Sequence, residues 1–356
     1  MKRSLLATFL AAPLAVAGFL LFARKPVAKP EPAARAFYYW KTRWKQTPEQ
    51  ARSFQELGVE KLYLRFFDVD TPVTAREPRP VGVLGIDDPL PAGVEVVPVV
   101  FLRNRVFQDL KHTDGEKLAE RVARQIWLMA RDAGIVPREV QMDCDWTETT
   151  REAYFRFLGA LKPALAASGA TTLSTTIRLH QVKYREITGI PPVDRGVLMF
   201  YNMGKISAEA GRSSIYNAHD ASRYLARLKT YPLTLDLALP LFSWAVHSRG
   251  SHLETLIEDI DRTTLDKNDG FERLADGRFR ALRPQWLRGH YFREGDTLKF
   301  EGSDARQSLE AARLVVKSWN PSRPPASVVV FDWNEQTLAR HTLQEISDVF
   351  DSAHAR

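Results

Sequence analysis

From Arg35 onward, short apolar runs alternate with longer segments whose apolar positions recur at the spacing of a helix face. The short runs predict strands at 36–40, 61–68, 95–102, 139–146, 172–179, 196–203, 233–239 and 327–333. Each is rich in Val, Leu, Phe, Tyr or Thr, and most are apolar on both faces, as buried parallel strands are. Helical spacing predicts helices at 48–57, 115–133, 149–167, 221–230, 253–263, 306–318 and 336–350. Thr47-Pro48-Glu49-Gln50 has the form of an N-cap, a first-turn proline and a capping box. Trp127, mid-helix between Ile126 and Leu128, reads as core.

Eight strand–helix units over 35–356 predict an α/β protein, a (β/α)8 TIM barrel, with catalytic or binding groups at the C-terminal ends of the strands. A doubly wound open sheet competes, but no Gly-rich phosphate loop follows the first strand. Segment 266–303 breaks the rhythm. Its Asp276-Gly277 and Glu294-Gly295-Asp296 turns predict a small antiparallel excursion before the last strand.

The first 34 residues are of another kind. Lys2 and Arg3 precede an apolar run at 4–23, and a Pro/Ala/Lys linker follows at 24–34. That is the pattern of an export signal or a membrane anchor. It predicts a periplasmic or extracellular domain at 35–356, released or tethered to the cytoplasmic membrane through its N-terminal segment; a monomer is expected. The formal charge of +7 changes little in this picture, because residues 1–29 carry five basic residues and no acid. The remainder is close to neutral, which argues against nucleic acid as partner. Cys144 is the one cysteine, so neither a disulfide within the chain nor a cysteine zinc site is available.

The chemistry concentrates in Glu139-Val-Gln-Met-Asp-Cys-Asp-Trp146. On a strand, Gln141, Asp143 and Asp145 share one face, and Val140, Met142 and Cys144 the other. Two carboxylates on one face of a core strand are costly unless paired, hydrogen-bonded or open to a cavity. The bland alternative is that one Asp caps the next helix and the other bonds backbone. At the predicted rim the other strands add Trp40, Arg65, Asp68, Arg178, His180, Tyr201, Asn202, Asp236, Trp244, Asp332 and Trp333. Planar aromatics interleaved with carboxylates, Arg and Asn suit sugars: ring faces stack on C–H faces while polar groups bond hydroxyls. The expected partner is a carbohydrate, and no cofactor is called for. Asp143, Asp145 and His180 could share a metal, but nothing else completes a ligand set, so no metal site is expected. His247 and His252 lack metal-ligand spacing and read as surface residues.

Asp143-x-Asp145 on the fourth strand, Met199-Phe-Tyr201-Asn202 on the sixth and Trp333 on the eighth resemble the chitinase-like (family 18) glycoside hydrolase barrels. Those carry Asp-x-x-Asp-x-Asp-x-Glu, Met-x-Tyr-Asp/Asn and a Trp at these places. The whole chain also resembles a bacterial family of exported barrel proteins. The match departs at the acid. Counted from Asp143 and Asp145 it falls on Thr147, not Glu148; a shift of two puts Asp145 at the acid position and Gln141 at the first Asp. The resemblance implies Asp145 as general acid, with its pKa raised by Asp143, and Asp143 and Tyr201 as its catalytic partners. Trp40, Arg65, Asp68, Gln141, Trp146, Glu148, Arg178, His180, Asn202, Trp244, Asp332 and Trp333 would line the substrate site. Glu148 is the reserve acid. Arg65, Arg178 and His180 would suit an acidic sugar, or Arg178 would neutralise the Asp pair. The expected activity is an exported glycoside hydrolase-like barrel acting on envelope polysaccharide; the alternative is a non-catalytic glycan-binding or structural barrel.

Overall fold

The computed structural model describes residues 32–353, apart from 73–74, 76, 109–113, 167–168 and 259. The predicted leader at 4–23 lies outside the described residues. Among those residues no helix is long and apolar enough to cross a membrane. Pro32–Arg356 forms one compact unit.

All eight predicted strands are present and form the barrel. They are β1 (Ala34–Tyr39), β2 (Lys61–Asp70), β3 (Glu95–Leu102), β4 (Glu139–Asp143), β5 (Thr172–Arg178), β6 (Arg195–Met199), β7 (Leu235–Pro240) and β8 (Ser327–Phe331). Each pairs in parallel with the next, and β8 pairs with β1 to close the ring. Closure buries both faces of every strand, which accounts for their continuous apolar runs.

The interior is not wholly apolar. Tyr38 Oη donates to Gln141 Oε1 at 2.6 Å, and Ser174 Oγ donates to Glu139 Oε1 at 2.6 Å. Lys61 Nζ lies 3.2 Å from Glu139 Oε2, which neutralises a carboxylate that burial would otherwise make costly. Asp236 sits at the start of β7, not at the rim: it pairs with Arg195 at 2.7 Å and accepts from the amides of Ala326 and Ser327.

Outside the ring, helix Asp114–Asp132 packs on helix Arg151–Leu165, with Leu118, Val122 and Ile126 buried on one and Phe157, Leu158 and Leu161 on the other. Trp127 is not core. It is 41% exposed, one position off the buried stripe, with the Arg131 guanidinium 5.0 Å from its ring. The Thr47–Gln50 capping box forms as expected at the start of helix Pro48–Glu56.

The antiparallel excursion is larger than expected and begins earlier. Five strands lie side by side in the order His252–Ile257, Ser243–Arg249, Thr297–Gly302, Phe279–Ala281 and Phe271–Arg273. The helix expected at 253–263 is mostly a strand. Gly250, at φ 58°, reverses the chain after Arg249, and His252–Ile257 then pairs back onto Ser243–Arg249. Hairpin pairing outweighs the helical spacing there. The insert has its own core of Ala245, Ile257, Phe271, Phe279, Phe292 and Leu298. His247 is buried in it, against expectation, with Nε2 2.9 Å from Asp296 Oδ2; Arg249 bonds the same carboxylate.

Candidate functional site

The strand ends meet over an aromatic floor whose hub is Phe331, the last residue of β8. Its ring centroid lies 5.7 Å from Tyr38, 5.7 Å from Trp40, 5.5 Å from Tyr201 and 5.1 Å from Phe242. Trp40 is half-buried, and the Arg65 guanidinium stands 5.4 Å from its ring. Arg65 also grips Asp68 through Nε at 2.7 Å and Nη2 at 2.6 Å, and donates from Nη1 to the Trp40 carbonyl at 3.0 Å. A bidentate pair of this kind is pre-organised and fixes that edge of the mouth.

The strand-four doublet divides into two unlike carboxylates. β4 ends at Asp143, which is 2% exposed and accepts from Thr176 Oγ1 at 2.6 Å. Burial pushes its carboxyl up to about 6, with Asp145 adding to the rise and Arg178 opposing it. Asp145 lies past the strand end, with its side chain 51% exposed and 2.5 Å from Arg178 Nε. The expectation of Asp145 in a buried pocket is corrected here: the buried member of the doublet is Asp143. The physical reason is where the strand stops, which leaves Asp145 in solvent beside a guanidinium.

Tyr201, just beyond β6, is buried, and its hydroxyl has no hydrogen-bond partner among the described residues. Burial holds that hydroxyl well above the ordinary tyrosine range, and it stands in the combined field of Arg178, Asp143, Asp332 and Asp145. Asp143, Asp145, Arg178 and Tyr201 are thus brought together. Asn202 is exposed beside them at φ 52°, its amide donating to the Ile215 carbonyl at 2.8 Å. His180 is exposed on helix Leu179–Lys183, in the field of Asp145 and Arg178.

Four other expected site residues lie elsewhere. Gln141 is fully buried, bonded to Tyr38 and Ser174 inside the barrel. Trp146 is fully buried, stacked on Tyr154 at 5.3 Å with its N–H donating to the Thr188 carbonyl at 2.9 Å. Trp244 belongs to the insert seam, where its N–H donates to Glu301 Oε2 at 3.2 Å. Trp333 packs edge-on to Phe37 and Phe54 on the helix side of the barrel. The common rim of four tryptophans therefore reduces to Trp40. Alternation along the barrel strands does not extend past their ends, where the other three lie, Trp244 on an insert strand. Glu148 is exposed in the loop after β4, next to Thr147, whose amide donates to Thr150 Oγ1 at 2.9 Å.

Asp332 follows Phe331 at the mouth. It is 7% exposed and accepts from the Asn334 side-chain amide. Burial, with Glu258 beside it, pushes its carboxyl up to about 7. Glu258 and Lys41 are site residues that sequence reasoning passed over. Glu258 was hidden inside a predicted helix, and Lys41 looked like an ordinary loop lysine. Phe331 was read as strand interior, although a strand's last residue is where a barrel floor is expected. Among the described residues no group of three or more His, Cys, Asp or Glu could hold a metal.

No family model matches the chain, and no characterised protein matches it in sequence. In structure it is similar to the spore cortex-lytic enzyme SleL of Bacillus cereus, with a TM-score of 0.51 and 14% identity over 90% of this chain and 74% of that one. It is also similar to a class V chitinase from Pseudomonas fluorescens Pf-5, with a TM-score of 0.50 and 13% identity over 90% of this chain and 99% of that one. At such identities the likeness establishes the fold, a glycoside hydrolase-like (β/α)8 barrel.

Proposed function

We propose that this protein is an exported barrel that binds an envelope or extracellular polysaccharide across its mouth, with sugar rings over the floor of Trp40, Phe331 and Phe242. Its strand-four carboxylates hold the ligand rather than cleave it. One observation carries this: the accessible member, Asp145, is paired with Arg178, and Thr147 stands where a counted motif would put the acid. A carboxylate held by a guanidinium is a hydrogen-bond acceptor that suits sugar hydroxyls. Export is supported by the apolar run at 4–23 behind Lys2 and Arg3. Two of the neighbours whose structures match are named as a spore cortex-lytic enzyme and a class V chitinase.

A hydrolytic reading of the same doublet is favoured by Asp143, whose carboxyl, raised to about 6, holds a proton closer to neutral pH than an ordinary aspartate does. Its burial means that the proton would have to leave through Asp145 or the unpartnered Tyr201 hydroxyl. Binding and reducing-end release on a panel of bacterial polysaccharides, for the wild type beside Asp145→Asn, separate the two. The binding reading expects glycan bound and no release that depends on Asp145. Release abolished by Asp145→Asn with binding retained would replace it with acid catalysis from strand four.

A further inference from the structure

Two cavities of about 730 and 670 Å3 at the barrel mouth share five lining residues: Lys41, Glu258, Phe331, Asp332 and Asn334. They form one cleft with a waist. One lobe runs over Trp40, Thr42, Gln50 and Arg65 beside β1. The other runs over Phe242, Arg262, Glu301 and Gln307, where the insert meets β7. Each lobe has room for more than one sugar ring, with an aromatic on its floor and polar groups along its walls.

Two carboxyl groups stand at the waist and come from different elements. Asp332 leaves the end of β8 and is buried in the floor; Glu258 follows strand His252–Ile257 of the insert and is exposed on the wall. The charged groups facing Asp332 are Glu258 from the insert and Lys41 from the loop after β1, with the Asn334 amide donating from its own loop. Burial and Glu258 together push Asp332 up to about 7, against the pull of Lys41. One carboxyl is thus buried in the floor and raised toward neutral pH, while its neighbour is exposed on the wall.

We propose that Asp332 and Glu258 form an acid–base pair for hydrolysis of an extended glycan lying in this cleft, one stretch of sugar on either side of the waist. The inference rests on the carbohydrate-binding reading and moves the chemistry from strand four to strand eight and the insert. The Asp332 carboxylic acid gives its proton to the glycosidic oxygen as the bond from that oxygen to the anomeric carbon breaks. The Glu258 carboxylate takes a proton from the water whose oxygen bonds to that carbon. The products are two shorter glycans, one with a new reducing end. The proton left on Glu258 returns through solvent to Asp332.

The test uses the full chain with chitotetraose, cellotetraose and purified peptidoglycan, measuring binding by calorimetry and cleavage by reducing-end release. Asp332→Asn and Glu258→Gln are each expected to lower release on the order of 100-fold or more while binding stays within a few-fold. Glu258→Gln alters an exposed side chain, so it keeps the test decisive even if Asp332→Asn fails to fold. Release undiminished in Glu258→Gln overturns the proposal. Binding without release by the wild type overturns it too, and leaves the carbohydrate reading standing. Absence of both binding and release removes both.

Discussion

Replacing Asp143 by Asn tests whether burial in fact strains the strand-four carboxyl. Asp143 is 2% exposed, and its carboxyl moves from an ordinary 3.8 to about 6 on folding. At about 1.4 kcal/mol per tenfold change in proton affinity, that displacement is worth about 3 kcal/mol. Its sign follows from linkage. Between 3.8 and about 6 the native state binds more protons than the unfolded state, so stability falls as pH rises through that window. Below it the cost is absent; above it the cost is complete. The Asn side chain keeps an oxygen for Thr176 Oγ1 and carries no charge at any pH. Asp143→Asn should therefore match the wild type within about 1 kcal/mol at pH 4, and be more stable by about 1–3 kcal/mol at pH 8. Urea unfolding at the two pH values measures the difference, and Asp145 and Asp332, present in both proteins, cancel to first order. A stability difference that is the same at both pH values would refute the reasoning, as would a large loss at pH 8.

Arg178 holds the Asp143 carboxyl down, so Arg178→Gln should raise the Asp143 midpoint above about 6, read by carbon NMR of the labelled carboxyl. In the insert, Glu301 bonds Trp244, Ser214 and Lys299 together. Glu301→Ala should cost on the order of 3–5 kcal/mol by stranding a buried lysine, measured by chemical denaturation. Burial pushes the Cys144 thiol up and out of reach of solvent. A thiol reagent should label it only as fast as the protein opens, tracking urea concentration and not reagent concentration.

The barrel was legible because its signal is repeated. Eight apolar runs, most of them separated by a helical pattern, leave little freedom once parallel strands must be buried on both faces. The site was less legible. Trp40, Asp143, Tyr201 and Asp332 were named from the ends of recognisable strands, and each lies at or just past such an end. Trp146, Trp244 and Trp333 were misplaced because each lies beyond its barrel strand, where alternation no longer says which way a side chain points. Glu258 was missed for a different reason. Its segment has helical spacing, and only the turn at Gly250 and the partner strand Ser243–Arg249 make it extended. Tertiary pairing decided that segment, and a single sequence does not display its partner.

The measurement that bears most directly on the account is calorimetric titration of the full chain with bacterial polysaccharides, beside Trp40→Ala and Phe331→Ala. By analogy with aromatic pairs, an aromatic face stacked on a sugar contributes about 0.5–1.5 kcal/mol. The account therefore predicts binding of at least one glycan, weakened roughly two- to tenfold by either substitution. Binding that ignores both substitutions, or no binding at all, would contradict a sugar site at this mouth.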